Sequence, residues 1–119
     1  MTRIIYKILT PQARAQMTQS GTLTLTGVDA ADGFVHFSSA AQLGETLDKH
    51  YAGVTDLVLL AVDTNGLEGL RWEASRGGDL FPHLYAPLSE AMVAQEFALN
   101  STRDNLAAWL QATDLESHR

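Results

Sequence analysis

The chain has 119 residues, of which 45% are hydrophobic and 18% charged, and it contains no cysteine. This length suits one domain, and this composition is that of a folded globular protein rather than a disordered one. Without cysteine there is no disulfide, no thiolate nucleophile and no cysteine-built zinc or iron–sulfur site. The formal net charge of −6 argues against general nucleic-acid binding, which depends on neutralising phosphates.

The apolar patterning argues against a membrane protein. The longest apolar run, Leu57–Val62, has the length of a strand, whereas a membrane helix needs about 20 apolar residues. The N-terminal stretch lacks the long apolar region of a secretory signal. These features predict a cytoplasmic protein, a monomer or weak homodimer, with no nucleic-acid or membrane partner. Residues 1–113 are predicted to form a single domain and residues 114–119 a polar C-terminal tail.

The first third of the chain predicts strands around one short helix. Ile4–Leu9 is a β-branched and aromatic run that Pro11 stops, which favours a strand. Residues 11–19 predict a helix with proline in its first turn and Gly21 just past its end. The stretch GTLTLTG predicts a short strand or an extended arm, DAADG a loop, and GFVHFSS a second strand.

The middle of the chain predicts the main helix and a buried strand. Ser39 and Gln42 have the spacing of a capping box, which marks a helix start. Apolar residues then recur at intervals of three and four, and the helix is expected to end near Gly53. The stretch DLVLLAVD is an apolar run between aspartates and predicts a strand covered on both faces.

The last third predicts short elements of both kinds. LRWE reads as a strand, SRGG as a flexible loop, and FPHLYAPL as extended because residues that precede proline avoid the helical region. Ser89–Leu99 predicts one helical turn followed by a strand, and Asn105–Leu110 a final helix. Several short strands with a central and a terminal helix predict the α+β class.

Strand alternation places polar side chains on one side of three separate segments. Phe34, His36 and Ser38 share one face of the second strand. In the same way Arg71 and Glu73 share one face of their segment, and His83 and Tyr85 share one face of theirs. If three strand ends meet, these side chains line one cleft, and the sequence predicts a site there.

Each of these residues also has a purely structural interpretation. His36 can be a structural hydrogen-bond donor, and Arg71 with Glu73 an exposed surface pair. The rings of His83 and Tyr85 can cap an edge of the core, and Ser38 or Ser39 can be only a helix cap.

Three other site classes lack their motifs. A metal site built from His36, His83 and Glu73 lacks any short ligand spacing, so no metal is predicted. There is no serine nucleophile elbow and no phosphate-binding glycine motif.

The same segments carry a family resemblance. The stretches IYKI, DGFVHFSSAAQL, DLVLLAVD and LRWEASRGGDLFPHLYAPL resemble the bacterial family catalogued as domain of unknown function 952, over roughly residues 4–99. The resemblance implies an ADP-ribosylation-like fold: two small mixed or antiparallel sheets that enclose a cleft, with two or three helices. Lys7 stands where members of this family frequently carry histidine.

The resemblance implies a small-molecule ligand, NAD or ADP-ribose, and no certain cofactor. Glu73 would then stabilise the charge that develops on the ribose, and His36 would bind a ribose hydroxyl; these two are the predicted catalytic residues. The other predicted ligand-binding residues are Phe34, Ser38, Arg71, Arg76, His83 and Tyr85. Tyr85 or Phe34 would stack on nicotinamide, Ser38 would orient Glu73, and an arginine would meet a phosphate. The alternative is a non-catalytic module that binds a nucleotide-like ligand or a protein partner.

Overall fold

The fold is built on two three-stranded antiparallel sheets. The computed structural model describes residues 4–116, except for the side chains of Arg76 and residues 114–116. The larger sheet has the order β1-β3-β6, formed by Ile4–Leu9, Leu57–Asp63 and Val93–Leu99. The smaller sheet has the order β2-β5-β4, formed by Val35–His36, Leu80–Leu84 and Leu70–Ala74. Both sheets are antiparallel, and the predicted α+β class is confirmed.

Four helices accompany the sheets within the described residues, one more than the upper limit of the prediction. They are α1 (Pro11–Ser20), α2 (Gly27–Asp32), α3 (Ala40–His50) and α4 (Leu106–Glu116). The helix that the sequence interpretation missed is α2, which was predicted as loop. Its six residues are too few for an apolar stripe to recur, so periodicity could not reveal it. None of the described helices has the length and apolar character needed to cross a membrane.

Other local predictions are confirmed or corrected in detail. The capping box is present, with the Ser39 hydroxyl accepting from the Gln42 backbone and the Gln42 side chain accepting from the Ser39 backbone. A 3-10 turn over Glu90–Met92 precedes β6, as predicted. Within GTLTLTG, residues 22–26 form an arm between α1 and α2 rather than a strand, and an isolated bridge joins Thr22 to Ser89.

The final helix is longer than predicted. It continues past Leu110 to Glu116, so residues 114–116 of the predicted tail are helical. Residues 117–119 lie outside the described part of the chain.

Strands β1 and β3 of the larger sheet are buried on both faces, whereas alternate residues of β6 are exposed. One face packs against α3 and α4 through side chains such as Tyr6, Leu59 and Leu43. The opposite face packs against α1 and the small sheet, with Leu60 and Met17 among the buried residues. Because β3 is the central strand and is covered on both sides, nearly all of its residues are apolar.

The small sheet has one apolar face and one open polar face, and its register shows why. Val35, Leu84 and Leu70 lie opposite one another across the three strands and face the core. His36 lies opposite His83, and His83 opposite Arg71, on the other face. Strand alternation therefore turns all the polar predicted residues of these strands outward together.

Candidate functional site

The phenyl ring of Phe34 lies at the centre of the open face. Its centroid is 4.5 Å from that of His36, 4.3 Å from that of His83 and 4.9 Å from that of Tyr85. The two imidazole centroids are 5.2 Å apart. Residues that lie almost 50 positions apart in the sequence thus form one cluster of rings, because β2 and β5 are neighbours in the sheet.

A carboxylate is held beside these rings. Oε1 of Glu73 accepts hydrogen bonds from the Tyr85 hydroxyl at 2.6 Å and from Nδ1 of His83 at 2.9 Å. Oε2 accepts none from the described side chains, and the Glu73 side chain is 36% exposed. One carboxylate oxygen is thereby fixed while the other is open to solvent or ligand.

The hydrogen bond between Tyr85 and Glu73 shifts the pKa of both residues. The Tyr85 hydroxyl, followed by His83, lowers the pKa of Glu73 below its ordinary value. The same hydrogen bond raises the pKa of Tyr85. At neutral pH the cluster therefore pairs an ionised carboxylate with a neutral phenol.

Arg71 lies over the ring of Tyr85 and does not form the surface pair with Glu73 that was its alternative, purely structural interpretation. Its guanidinium carbon lies 5.3 Å from the Tyr85 centroid, which is a cation–π geometry. Among the ion pairs of the described residues, Glu73 is joined to His83 and none joins it to Arg71. The side chain of Arg76 lies outside the described part, so its predicted role stays a prediction.

His36 is bound at both ring nitrogens by carboxylates of α2. Nδ1 lies 2.6 Å from Oδ1 of Asp29, and Nε2 lies 3.0 Å from Oδ2 of Asp32. The backbone N–H of His36 also donates to Asp29. The two aspartates are three residues apart on a helix, so they lie on one side of it and can embrace a single ring.

Asp29 is also paired with a buried lysine. Nζ of Lys7 lies 2.7 Å from Oδ2 of Asp29, and both side chains are more than nine-tenths buried. Burial raises the pKa of Asp29, but the hydrogen bond from His36 and the charge of Lys7 outweigh it, so the pKa lies below its ordinary value. Lys7 thus makes a carboxylate contact at the position where the family resemblance leads one to expect histidine.

A cleft of about 460 Å³ lies where the two sheets meet. Strand β1 borders it on one side and β5 on another, while α2 and α3 contribute Asp32 and Thr46. Of the predicted site residues, His36, Ser38 and His83 border the cleft. Phe34, Glu73 and Tyr85 are next to it, on the open face of the small sheet.

The structure thus brings most of the predicted residues together, and Ser38 borders the cleft without contacting Glu73. Ser38 is buried and its hydroxyl lies 3.1 Å from that of Thr46, whereas the groups that hold Glu73 are His83 and Tyr85. The predicted task of orienting Glu73 therefore does not fall to Ser38. Ser38 is not the cap of α3 either, because Ser39 occupies that position.

Polar residues of the cleft that were not predicted from the sequence include Lys7, Asp29, Asp32 and Thr46. A usable signal was present for two of them. Asp29 and Asp32 have helical spacing in GVDAADG, and Gly33 is a suitable residue just past a helix end. Within the described residues, no group of three or more histidine or acidic side chains is arranged to hold a metal ion.

Fold and site together define a small α+β protein with a carboxylate, imidazole and phenol cluster beside a cleft. The chain belongs to the family described as protein of unknown function (DUF952), whose model matches residues 8–96.

The chain is also similar to solved structures. The chain is 42% identical to protein CC0527 from Caulobacter crescentus in its crystal structure, with a TM-score of 0.82 over 91% of this chain and 98% of that one. The solution NMR structure of CC0527 is 46% identical, with a TM-score of 0.74, over 82% of this chain and 84% of that one. None of the curated proteins compared with the chain matches it.

Proposed function

We propose that this protein binds an ADP-ribose-type ligand and transfers or hydrolyses its ribosyl group, with NAD as the candidate substrate. The observation that carries the proposal is the state of Glu73, an ionised and partly exposed carboxylate with one oxygen fixed and one free. An ADP-ribosylation-like fold is part of the same proposal. Two three-stranded sheets that meet at a cleft support it.

The chemistry of the glycosidic bond explains why such a carboxylate is useful. Breaking the bond between ribose and nicotinamide builds positive charge on the sugar, and a fixed anion nearby stabilises that transition state. Tyr85 and His83 hold Oε1 of Glu73, so Oε2 is pre-oriented before a ligand arrives. Because the orientation exists in the free protein, it costs no reorganisation during the reaction.

The neighbouring groups suit the other parts of the ligand. The exposed ring of Tyr85 and the ring of Phe34 are proposed to stack on nicotinamide. His36 is proposed to bind a ribose hydroxyl through Nε2. The present partner of Nε2 is Asp32, whose half-exposed side chain can turn to solvent and leave this nitrogen to the ligand. Arg71, together with Arg76, is proposed to meet the phosphates.

Ligand binding and turnover test this function separately. In an NMR titration with NAD, ADP-ribose and AMP, we expect shifts of the Phe34, His36 and Tyr85 resonances at millimolar ligand or below. Nicotinamide release is then measured for the wild type, Glu73→Gln and the matched control Glu68→Gln, an exposed glutamate away from the cleft. We expect a loss of about 100-fold or more in Glu73→Gln and none in the control. No resonance shifts with any of the three ligands would refute the proposal.

A non-catalytic binding module is the second candidate, favoured by one specific observation. The charged groups of the cleft already satisfy one another, since Asp29 and Asp32 bond to His36 and Lys7 bonds to Asp29. A ligand would then fill a preformed cavity without being changed. Binding of ADP-ribose together with a complete lack of nicotinamide release would select this function.

A further inference from the structure

The two histidines of the site differ in what their ring nitrogens contact. Both nitrogens of His36 are engaged by carboxylates, one by Asp29 and one by Asp32. His83 has one engaged nitrogen, Nδ1, whose partner is Oε1 of Glu73. A ring with both nitrogens occupied has no free acceptor, so His83 is the better placed of the two to take a proton.

The hydrogen bond to Glu73 determines which nitrogen of His83 carries hydrogen. An ionised carboxylate can only accept, so Nδ1 of His83 must be the donor. In a neutral imidazole the other nitrogen, Nε2, then bears the lone pair. This is the tautomer in which a carboxylate orients a histidine for proton transfer.

The free nitrogen of His83 opens onto the cleft. His83 borders the cleft although it is only 5% exposed, and Nε2 has no hydrogen-bond partner among the described residues. It is not a sealed atom either: within the described part, the buried side-chain polar atom without a partner is Nε of Arg14. A nine-tenths buried imidazole therefore presents an unpaired acceptor to the cavity.

We propose that Nε2 of His83 is the proton acceptor of the cleft and that it activates a water molecule or an alcohol as the ribosyl acceptor. This inference rests on the proposed function and assigns His83, rather than His36, the role of general base. Glu73 is the positioning residue for His83 through Oε1, in addition to the role proposed for Oε2. The acceptor class follows from the chemistry of a neutral imidazole, which can take the proton of an O–H group that lies within hydrogen-bond distance.

The proposed step balances in atoms and charge. The O–H proton of the acceptor moves to Nε2 of His83 while the acceptor oxygen forms a bond to the anomeric carbon of the ribose. The electron pair of the breaking carbon–nitrogen bond goes to the pyridinium nitrogen, which leaves as neutral nicotinamide. The positive charge of the pyridinium thus ends on the imidazolium, which returns its proton to water.

The ring tautomer is measured on the free protein by long-range ¹H–¹⁵N NMR at mildly alkaline pH. We expect hydrogen on Nδ1 and an unprotonated Nε2 for His83 in the wild type. Glu73→Gln retains an acceptor oxygen for Nδ1, so we expect it to keep this tautomer. Glu73→Leu has no acceptor oxygen, so we expect part of the hydrogen to move to Nε2. Hydrogen on Nε2 of His83 in the wild type would overturn the inference whatever the protein binds.

Kinetics separate this inference from the proposed function. In His83→Ala, we expect nicotinamide release to fall by about 100-fold or more while the Kd for ADP-ribose changes little. Far-UV circular dichroism and thermal unfolding check that the variant is folded, and His83→Gln is a second variant that keeps a polar side chain. If the wild type turns over NAD and the folded His83 variants do so equally fast, the role of His83 is refuted while the proposed function stands. Binding without turnover in the wild type would refute the enzymatic function and this inference with it.

Discussion

The ion pair between Lys7 and Asp29 connects the larger sheet to α2 at the edge of the cleft. Both partners are buried and compensate each other's charge, and Asp29 is also hydrogen-bonded to His36. Removing one partner of such a pair leaves an uncompensated charge in a poorly solvated place, which is more costly than never having had the pair. The local geometry of the site therefore depends on two residues that the sequence patterns did not single out.

Asp29→Asn tests this dependence. We expect the free energy of unfolding to fall by about 3–5 kcal/mol, because the charge of Lys7 stays buried without its partner. The matched control Asp56→Asn, at an exposed position before β3, should change stability by less than about 0.5 kcal/mol. Urea unfolding followed by circular dichroism gives both values. The double variant Lys7→Met with Asp29→Leu should recover most of the loss, and equal losses in Asp29→Asn and Asp56→Asn would contradict the account.

The lowered pKa of Asp29 also predicts how stability depends on pH. In the unfolded chain Asp29 takes up a proton near its ordinary pKa of 3.8, whereas in the folded chain it does so at lower pH. Its contribution is therefore fully present above pH 3.8 and is lost as the pH falls through the folded pKa. Urea unfolding across this range should show that the stability difference between wild type and Asp29→Asn shrinks with acidity. A difference that stays constant would show that Asp29 does not titrate below its ordinary range.

At the scale of elements, the turn that leads into β4 positions Tyr85. Gly69 has a φ of 83°, which side-chain-bearing residues rarely adopt, and its carbonyl accepts from the Tyr85 backbone N–H at 2.8 Å. A Cβ at Gly69 would lie 3.2 Å from the Cβ of Ala86. Only glycine fits here without strain, and the turn at Gly69 holds the backbone of Tyr85 in place beside the open face.

Two glycine substitutions of opposite expected sign test this point. Gly69→Ala should lower the free energy of unfolding by about 1–2 kcal/mol because of its left-handed backbone. The control Gly44→Ala lies inside α3 with open space around it, and it should raise stability by about 0.5–1 kcal/mol. Thermal and urea unfolding of both variants give the comparison. Equal effects of the same sign would show that the backbone angle at Gly69 is not the controlling factor.

The elements were predictable where their signals are local. The capping box of Ser39 and Gln42, and the apolar run of β3, involve neighbours in the sequence, and both elements appear where expected. The six residues of α2 are too few for apolar periodicity to reveal a helix, and no local signal indicated how short β2 is. Two residues of β2 pair with β5, and α2 is held by contacts of its aspartates with His36 and Lys7.

At the scale of the whole molecule, the larger sheet forms the central layer and the small sheet lies on one side of it. The central strand β3 pairs with β1 and β6 and is buried on both faces. By contrast β4 is an edge strand of the small sheet with mostly exposed side chains. Burial and hydrogen bonding therefore decrease from the central strand β3 toward the edge strand β4.

Native-state hydrogen exchange should reproduce this gradient. We expect the amides of β3 to exchange most slowly, by global unfolding, because both of its edges are paired and buried. The amides of α2, and those of β4 that β5 does not bond, should exchange faster through local opening. Two-dimensional NMR after transfer to D₂O measures the rates residue by residue. Protection in α2 equal to that in β3 would contradict the prediction.

The amino-acid sequence by itself determined the α+β class, most strand positions and which residues of each strand share a face. These properties follow from side-chain periodicity and local steric preferences, which act between near neighbours. Only the tertiary structure decided that His36 lies beside His83, that Glu73 is held by Tyr85 rather than by Ser38, and that α2 closes one side of the cleft. Those contacts depend on strand order and packing between distant segments, and strand order is set by burial of the whole core rather than by any single stretch of chain.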